Sequence, residues 1–240
     1  MRKKKTDRLP YIFSIIIPVL HESEIINALI QHLQRLESTY NFEIIVVDGS
    51  IQKDTITAIT DQGVITLVSA QGRGRQMNIG AAVAHGEILI FLHADTQIPK
   101  NALQLIQKVF AQPGCDGGAF TLDIDSKNPI LKMIALLSSI RSQLMRIPYG
   151  DQVIFLRKTY FEHIGGYTDI PLLEDVELMQ RIKKSGGKIR ILPDKVVTSA
   201  RRWNEQGIAY TTLLNILILV LYFCRFPPSK LQKWHRYTKE

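Results

Sequence analysis

The sequence predicts an α/β fold in which a mostly parallel central sheet carries helices on both faces and an apolar helix follows near the C-terminus. Short apolar runs rich in β-branched residues, helical spacing between them and polar residues directly after each run carry this prediction. A chain of 240 residues is long enough to bury a sizeable core. The expected organisation is one α/β domain over residues 10–205, with a helical extension over residues 206–240.

Ile12 to Val19 is the first such run, and Glu24 to Leu36 then places Ile25, Leu29, Leu33 and Leu36 at helical spacing. Phe42 to Val47 repeats the strand pattern and stops at Asp48-Gly49-Ser50. A helix over Thr55 to Asp61, a strand over Val64 to Val68, a helix over Arg75 to His85 and a strand over Ile88 to Leu92 complete a βαβαβαβ order. In sheets built this way ligands bind beyond the carboxyl ends of the strands. His21 with Glu22, Asp48, Gly72 to Arg75, and His93 with Asp95 occupy those positions.

The two cysteines, Cys115 and Cys224, lie far apart without metal-ligand spacing, which excludes a disulfide framework and a zinc site and suits a reducing cytosol. Tyr11 to Leu20 is broken by Pro18 and lacks a small-residue cleavage pattern, so it reads as a strand and not as a signal peptide. The net charge of +8 is concentrated at the ends, in Arg2, Lys3, Lys4, Lys5 and Arg8 and in Lys230, Lys233, Arg236 and Lys239. Such a balance attracts phosphates of any kind, including those of nucleotide-sugars, anionic lipids and nucleic acid, without choosing among them. A nucleic-acid partner is not expected, because these cations sit at the chain ends and no recognisable module is present.

The chemistry concentrates in two motifs. Asp95, after the fourth strand, offers a carboxylate to a Mg²⁺ or Mn²⁺ ion whose remaining ligands are diphosphate oxygens. Gly72-Arg73-Gly74-Arg75-Gln76-Met77-Asn78-Ile79-Gly80 opens a helix with amide groups and the Arg73 and Arg75 guanidinium groups suited to phosphate. Together they describe a diphosphate site.

With these residues in view, the sequence resembles the family 2 glycosyltransferases of the GT-A fold, from about Phe13 to Trp203. Ser14 to Pro18 with Glu22 is similar to the family's opening strand and its P-x-x-N-E turn, with His21 at the Asn position. Val46-Val47-Asp48-Gly49-Ser50 resembles the VVDDGS turn, one acidic residue short, and Asp54 stands in for the later Asp. Asn78 and Gly80 match the helix start. Ile90 to Asp95 resembles the strand with the DxD motif, His93 replacing the first Asp. That replacement leaves Asp95 as the metal-ligating carboxylate, while a neutral His93 can contact metal, ribose or phosphate. The GRGRQMN and LHADT motifs together resemble one bacterial subgroup.

The resemblance implies a nucleotide-diphosphate-sugar donor bound by Pro18, Glu22, Asp48, Arg73, Arg75, Asn78, His93, Asp95 and Arg202, a Mg²⁺ or Mn²⁺ ion on Asp95, and transfer to a hydroxyl acceptor. Leu173 to Leu178 is similar to the family's ED motif, which makes Asp175 the expected catalytic base and Glu174 an acceptor contact; as bare residues the two acids would equally serve as favourable charges in a first helical turn. Asp151 and Gln152, at the start of a further strand, and Gly118 are the other expected acceptor contacts. Arg201-Arg202-Trp203 resembles the QxxRW of processive synthases, but Ser199 holds the Gln position, so a single inverting transfer is expected.

Thr212 to Phe226 is strongly apolar, yet shorter than the ~20 residues of a spanning helix, and Pro129 to Ile147 is apolar with Lys132, Arg141 and Arg146 interspersed. Flanked by Arg225, Lys230 and Lys233, the later helix either lies in the interface of an anionic inner leaflet, near a lipid or other apolar acceptor, or packs on protein. A cytoplasmic protein, with or without peripheral contact to the inner face of the cell membrane, is expected. The competing readings are a nucleotidyltransferase of similar fold, which would carry a basic glycine-rich loop where Pro18 to Ser23 is acidic, and a noncatalytic nucleotide-sugar-binding or membrane-scaffold protein.

Overall fold

Strand β1 (Phe13–Val19) is buried along its whole length, because both of its faces are covered. Phe13, Ile15, Ile17 and Val19 pack with Ile26, Leu29, Ile30 and Leu33 of α1 (Ile26–Gln34) and with Leu103, Ile106 and Val109 of α4 (Ala102–Phe110). Ile16 points the other way, towards Met77 and Ala81 of α3 (Arg73–Val83) and Val176, Met179 and Ile182 of α7 (Glu174–Lys184). A strand enclosed on both sides has no polar face, which is why its sequence reads as a continuous apolar run. The computed structural model describes residues 12–37 and 39–235, with side chains up to Leu231. The basic cluster from Arg2 to Arg8, Arg236 and Lys239 lie outside the described residues, as does the side chain of Lys233.

Strands β1, β2 (Phe42–Asp48), β3 (Ile65–Val68) and β4 (Ile88–Phe91) pair in parallel in the order β3-β2-β1-β4, with α2 (Asp54–Ala58) between β2 and β3. This half follows the expected crossover pattern. The other half does not, and the sheet is mixed, not mostly parallel throughout. Beside β4 comes β7 (Ile154–Arg157), antiparallel to it, then β6 (Gly117–Asp125) antiparallel to β7, β8 (Ile189–Ser199) parallel to β6, and β5 (Thr96–Gln97) antiparallel to β8. A 3-10 turn (Gly150–Gln152) precedes β7, and α6 (Lys158–His163) follows it. The expected strand at Gly150 therefore begins four residues later, at Ile154.

Two helices pack on the core along one face and leave an apolar face exposed. Helix α5 (Pro129–Met145), capped by the Asn128 side chain, exposes Ile130, Met133, Leu136, Leu137, Ile140, Leu144 and Met145. After the short α8 (Arg201–Gln206), α9 (Ile208–Phe223) exposes Leu213, Ile216, Leu217, Val220 and Phe223 while burying Ile218 against Leu172 and Leu231, the latter in α10 (Pro228–His235). The apolar helix thus has one packed face and one exposed face. Among the described residues no helix is long and apolar enough to cross a membrane.

Gly118 lies inside β6, paired with Phe155 of β7 and Arg190 of β8, so its lack of a side chain serves strand packing and not the close approach of a sugar. A Cβ there would meet the Arg190 carbonyl oxygen and the Phe155 ring. Gly118→Ala is accordingly expected to destabilise the fold by about 1–3 kcal/mol, the usual range for overpacking. A lowered urea midpoint checks this, and an unchanged midpoint with selectively weakened acceptor binding would restore Gly118 to the site.

Candidate active site

Antiparallel pairing matches Phe91 at the end of β4 with Ile154 at the start of β7. The segment leaving β4, with His93 and Asp95, therefore lies beside the turn entering β7, with Asp151. Pairing of Thr96 with Thr198 brings the end of β8 to the same edge, where the Ser199 N–H donates to the Asp95 carbonyl oxygen at 3.0 Å. The first turn of α7 supplies Asp175. A cleft of about 440 Å³ opens between these segments, lined at its polar end by Arg73, His93, Asp95, Asp151, Asp175 and Arg202. Its other walls are mainly apolar, with Ser138, Thr212 and Asn215 among them, and come largely from α5 and α9.

Asp175 is held firmly. Its Oδ2 accepts from the Gly150 N–H at 2.6 Å, and its Oδ1 accepts from the Val176 N–H at 2.7 Å. Gly150 fits between two functional groups, since a Cβ on it would stand 2.8 Å from His93 Nε2 and 3.2 Å from Asp175 Oδ2. The turns presenting Asp151 and Asp175 each contain a side chain in the left-handed region, Val153 at φ 54° and Leu173 at φ 63°. Such residues are strained and persist only where surrounding structure holds them.

Charge is unevenly distributed. Arg73 Nε contacts Glu174 Oε1 at 2.8 Å, and that carboxylate holds the guanidinium above its ordinary range. Burial, together with the Arg73 charge, pulls His93 below the usual imidazole value and keeps it neutral at neutral pH. Burial and the Asp175 charge push Asp151 up to about 6. Arg141 of α5 lies 3.3 Å above the centre of the Tyr149 ring, and burial lowers it to about 10.

Of the residues expected from sequence, Arg73, His93, Asp95, Asp151, Asp175 and Arg202 meet in the cleft. The structure places the others elsewhere. Glu174 is 2% exposed and committed to Arg73, so it is not presented to an acceptor. Gln152 is fully buried and donates to the Phe120 carbonyl oxygen and to Ser142 Oγ, which makes it part of the frame. Asn78 clamps Tyr167, donating to its carbonyl oxygen and accepting from its N–H, both at 2.8 Å. Arg75 pairs with Asp169, and Glu22 receives a forked contact from Arg201 at 3.0 and 3.2 Å. Pro18 is buried within β1. Asp48, at the carboxyl end of β2, is buried and accepts from the Ser50 and Ile56 N–H groups, shaping the turn and capping α2.

Arg141, Tyr149, Gly150 and Trp203 join the site without having been assigned to it from sequence. For Arg141 a signal exists: Ile134, Leu137, Ser138 and Arg141 recur at spacings of three and four, one face of a helix otherwise apolar.

The cleft tests whether a divalent ion suits these residues. Among the described residues no three His, Cys, Asp or Glu side chains form a cage for one. Mg²⁺-like ions are commonly held by one or two carboxylates and completed by substrate phosphates. Asp95 on the cleft wall, with Arg73 and Arg202 beside it, fits that shared mode.

Comparison with known proteins agrees with this architecture. Residues 14–164 match the pattern described as glycosyl transferase family 2. An uncharacterized glycosyltransferase of Haemophilus influenzae is 24% identical over 180 residues, covering 70% of this chain and 61% of its own. The mannosyltransferase PcManGT of Pyrobaculum calidifontis, solved with GDP-Man and Mn²⁺, superposes with a TM-score of 0.61 at 19% identity over 80% of this chain and 59% of its own. TarS of S. aureus in complex with UDP gives 0.62 at 18% identity over 78% and 60%. The chain thus spans about three fifths of the length of these relatives. The structural likenesses show a shared α/β fold similar to that of GT-A glycosyltransferases.

The elevated Asp151 has a consequence for stability. A carboxyl that titrates near 6 when folded, against 3.8 when unfolded, binds its proton more tightly in the folded state. Its contribution is complete below about pH 4 and is lost as pH rises through 6. Asp151→Asn is expected to gain about 1–2 kcal/mol over the wild type at pH 7–8, allowing for partial exposure, and nothing below pH 4. Urea denaturation across this range checks it; a gain independent of pH would overturn the assignment.

Proposed function

Because the chain belongs to glycosyl transferase family 2, we propose that it transfers one sugar from a nucleotide-diphosphate sugar to a hydroxyl acceptor, inverting the anomeric centre in a single displacement. The observation that carries this reading is the convergence of Asp95 and Asp175, from distant parts of the chain, on one cleft with Arg73 and Arg202. Two carboxylates with two cations suit a reaction in which a proton leaves one reactant while negative charge builds on the other.

In this reading Arg73 and Arg202 meet the donor diphosphate, and the nucleoside lies over the carboxyl ends of β1 and β2, where Asp48 supports the turn. Asp95 would hold a Mg²⁺ or Mn²⁺ ion, completed by the donor's phosphates. When bound, that ion supplies positive charge to the departing nucleotide. Asp175 takes the proton of the acceptor hydroxyl as the new bond to the anomeric carbon forms and the bond to the diphosphate oxygen breaks. The backbone contacts of Asp175 keep both oxygens in place and leave each a lone pair. Neutral His93, packed against Gly150, closes the floor between the donor and acceptor sides. Ser199 at the end of β8, its hydroxyl accepting from the Arg201 N–H, stands where processive enzymes carry a glutamine, which supports one transfer per encounter.

The exposed apolar faces of α5 and α9, with Arg146, Arg225 and Lys230 exposed near their ends, support peripheral attachment to an anionic membrane. The full chain is expected to sediment with phosphatidylglycerol vesicles at low salt, and replacing Leu213 and Leu217 by Asp to abolish this. Absence of sedimentation in the wild type would remove membrane attachment from the reading.

Transfer itself is tested with Mn²⁺ and a panel of UDP-, GDP- and dTDP-sugars, taking thermal stabilisation as the sign of donor binding. Asp95→Ala is expected to lose the Mn²⁺-dependent part of that stabilisation. Asp175→Asn is expected to keep donor binding and lose about 10²–10⁴ in the rate of transfer, the range of a positioned proton acceptor. Wild-type transfer by Asp175→Asn with chemistry limiting, or a product retaining the donor's anomeric configuration, would overturn the mechanism.

A further inference from the structure

The polar end of the cleft accounts for a donor and a proton acceptor, but not for its apolar end. There Leu122, Ile134 and Leu137 line the same space as Leu172, Ile216 and Leu219. This slot is continuous with the carboxylates, and Leu137 and Ile216 are 57% and 52% exposed at its mouth. Sugars and nucleotides present hydroxyls and charges to their sites, so apolar walls of this kind suit a different part of the substrate.

Arg141 stands where the two ends meet. Its guanidinium is seated on Tyr149, and its Nη2 is buried with no hydrogen-bond partner among the described residues. Asp151 and Asp175 face it electrostatically, yet neither forms an ion pair with it. A fixed, incompletely satisfied guanidinium is a receptor for a planar or tetrahedral anion. At about 10 its pKa still leaves it a cation at neutral pH.

We propose that the acceptor is an anionic amphiphile, with its hydrocarbon chain in the slot between α5 and α9 and its anionic group on Arg141. The reacting oxygen then lies within reach of Asp175. This rests on the transferase reading only in calling the amphiphile an acceptor; the slot and its cation are features of the protein itself.

The test uses n-alkyl phosphates from butyl to dodecyl, below their micellar concentrations, with the full chain and the emission of Trp203, which lines the cleft, as readout. Affinity is expected to rise about fourfold per methylene, the value for a buried CH₂. Arg141→Met is expected to weaken dodecyl phosphate about tenfold or more and to leave uncharged dodecyl maltoside unaffected. Ile216→Asp, at an exposed position, is expected to remove the dependence on chain length. Equal affinities for butyl and dodecyl phosphate would overturn the proposal, as would equal losses for phosphate and maltoside in Arg141→Met. Donor stabilisation measured alongside separates the two readings: donors that bind without a chain-length effect sink the amphiphile alone, and alkyl phosphates that bind as expected while no donor does sink the transferase.

Discussion

Everything in the site depends on one reversal of strand direction. Four parallel strands would send every connecting segment away from the sheet at one edge and return it at the other. With β7 antiparallel between β4 and β6, an outgoing segment and an incoming one share an edge. His93 and Asp95 leave as Asp151 arrives, and the short β5–β8 pairing folds Ser199 onto the same place. The parallel half supplies rigidity; the mixed half supplies a gap with chemistry on both sides.

That gap crowds like charges. Asp95, Asp151 and Asp175 line one space, and the elevated Asp151 reports its own burial and then the charges of Asp175 and Asp95. Three kinds of contact hold them there. Arg141 and Arg73 offset the charge on Asp151, backbone N–H groups fix Asp175, and Glu174 anchors Arg73. In the proposed reading a donor diphosphate would bring further negative charge, and the cations with a divalent ion would act on the same imbalance.

Much of the first half was legible in the sequence because strands buried on both faces leave an unbroken apolar signature and because βαβ units admit few arrangements. The helices agree within a turn: α3 begins at Arg73, where Arg75 was expected, and α1 ends at Gln34, where Leu36 was expected. The direction of β7 was not legible, since four residues carry no record of which neighbour they pair with. Roles of single polar residues divided for a related reason. Asp95 and Asp175 stand after a strand and at a helix start, positions that sequence order reveals, and both line the cleft. Asn78, Gln152 and Glu174 look alike in sequence but are occupied by Tyr167, 89 residues away, by Phe120 and Ser142, 32 and 10 residues away, and by Arg73, 101 residues away. Only the folded chain shows that their hydrogen bonds are already taken.

Val153 and Leu173 give the site a distinct response to heat. Each holds a left-handed backbone that its side chain disfavours, at a cost of order 1–3 kcal/mol that the surrounding packing offsets. Stability is not uniform in a protein, and local segments can open before the whole fold melts. On warming, these two turns would relax before the sheet melts, releasing Asp151 and Asp175 from their fixed positions. The cleft would then lose its fixed geometry while the sheet is still folded, so the two changes would follow separate temperature curves.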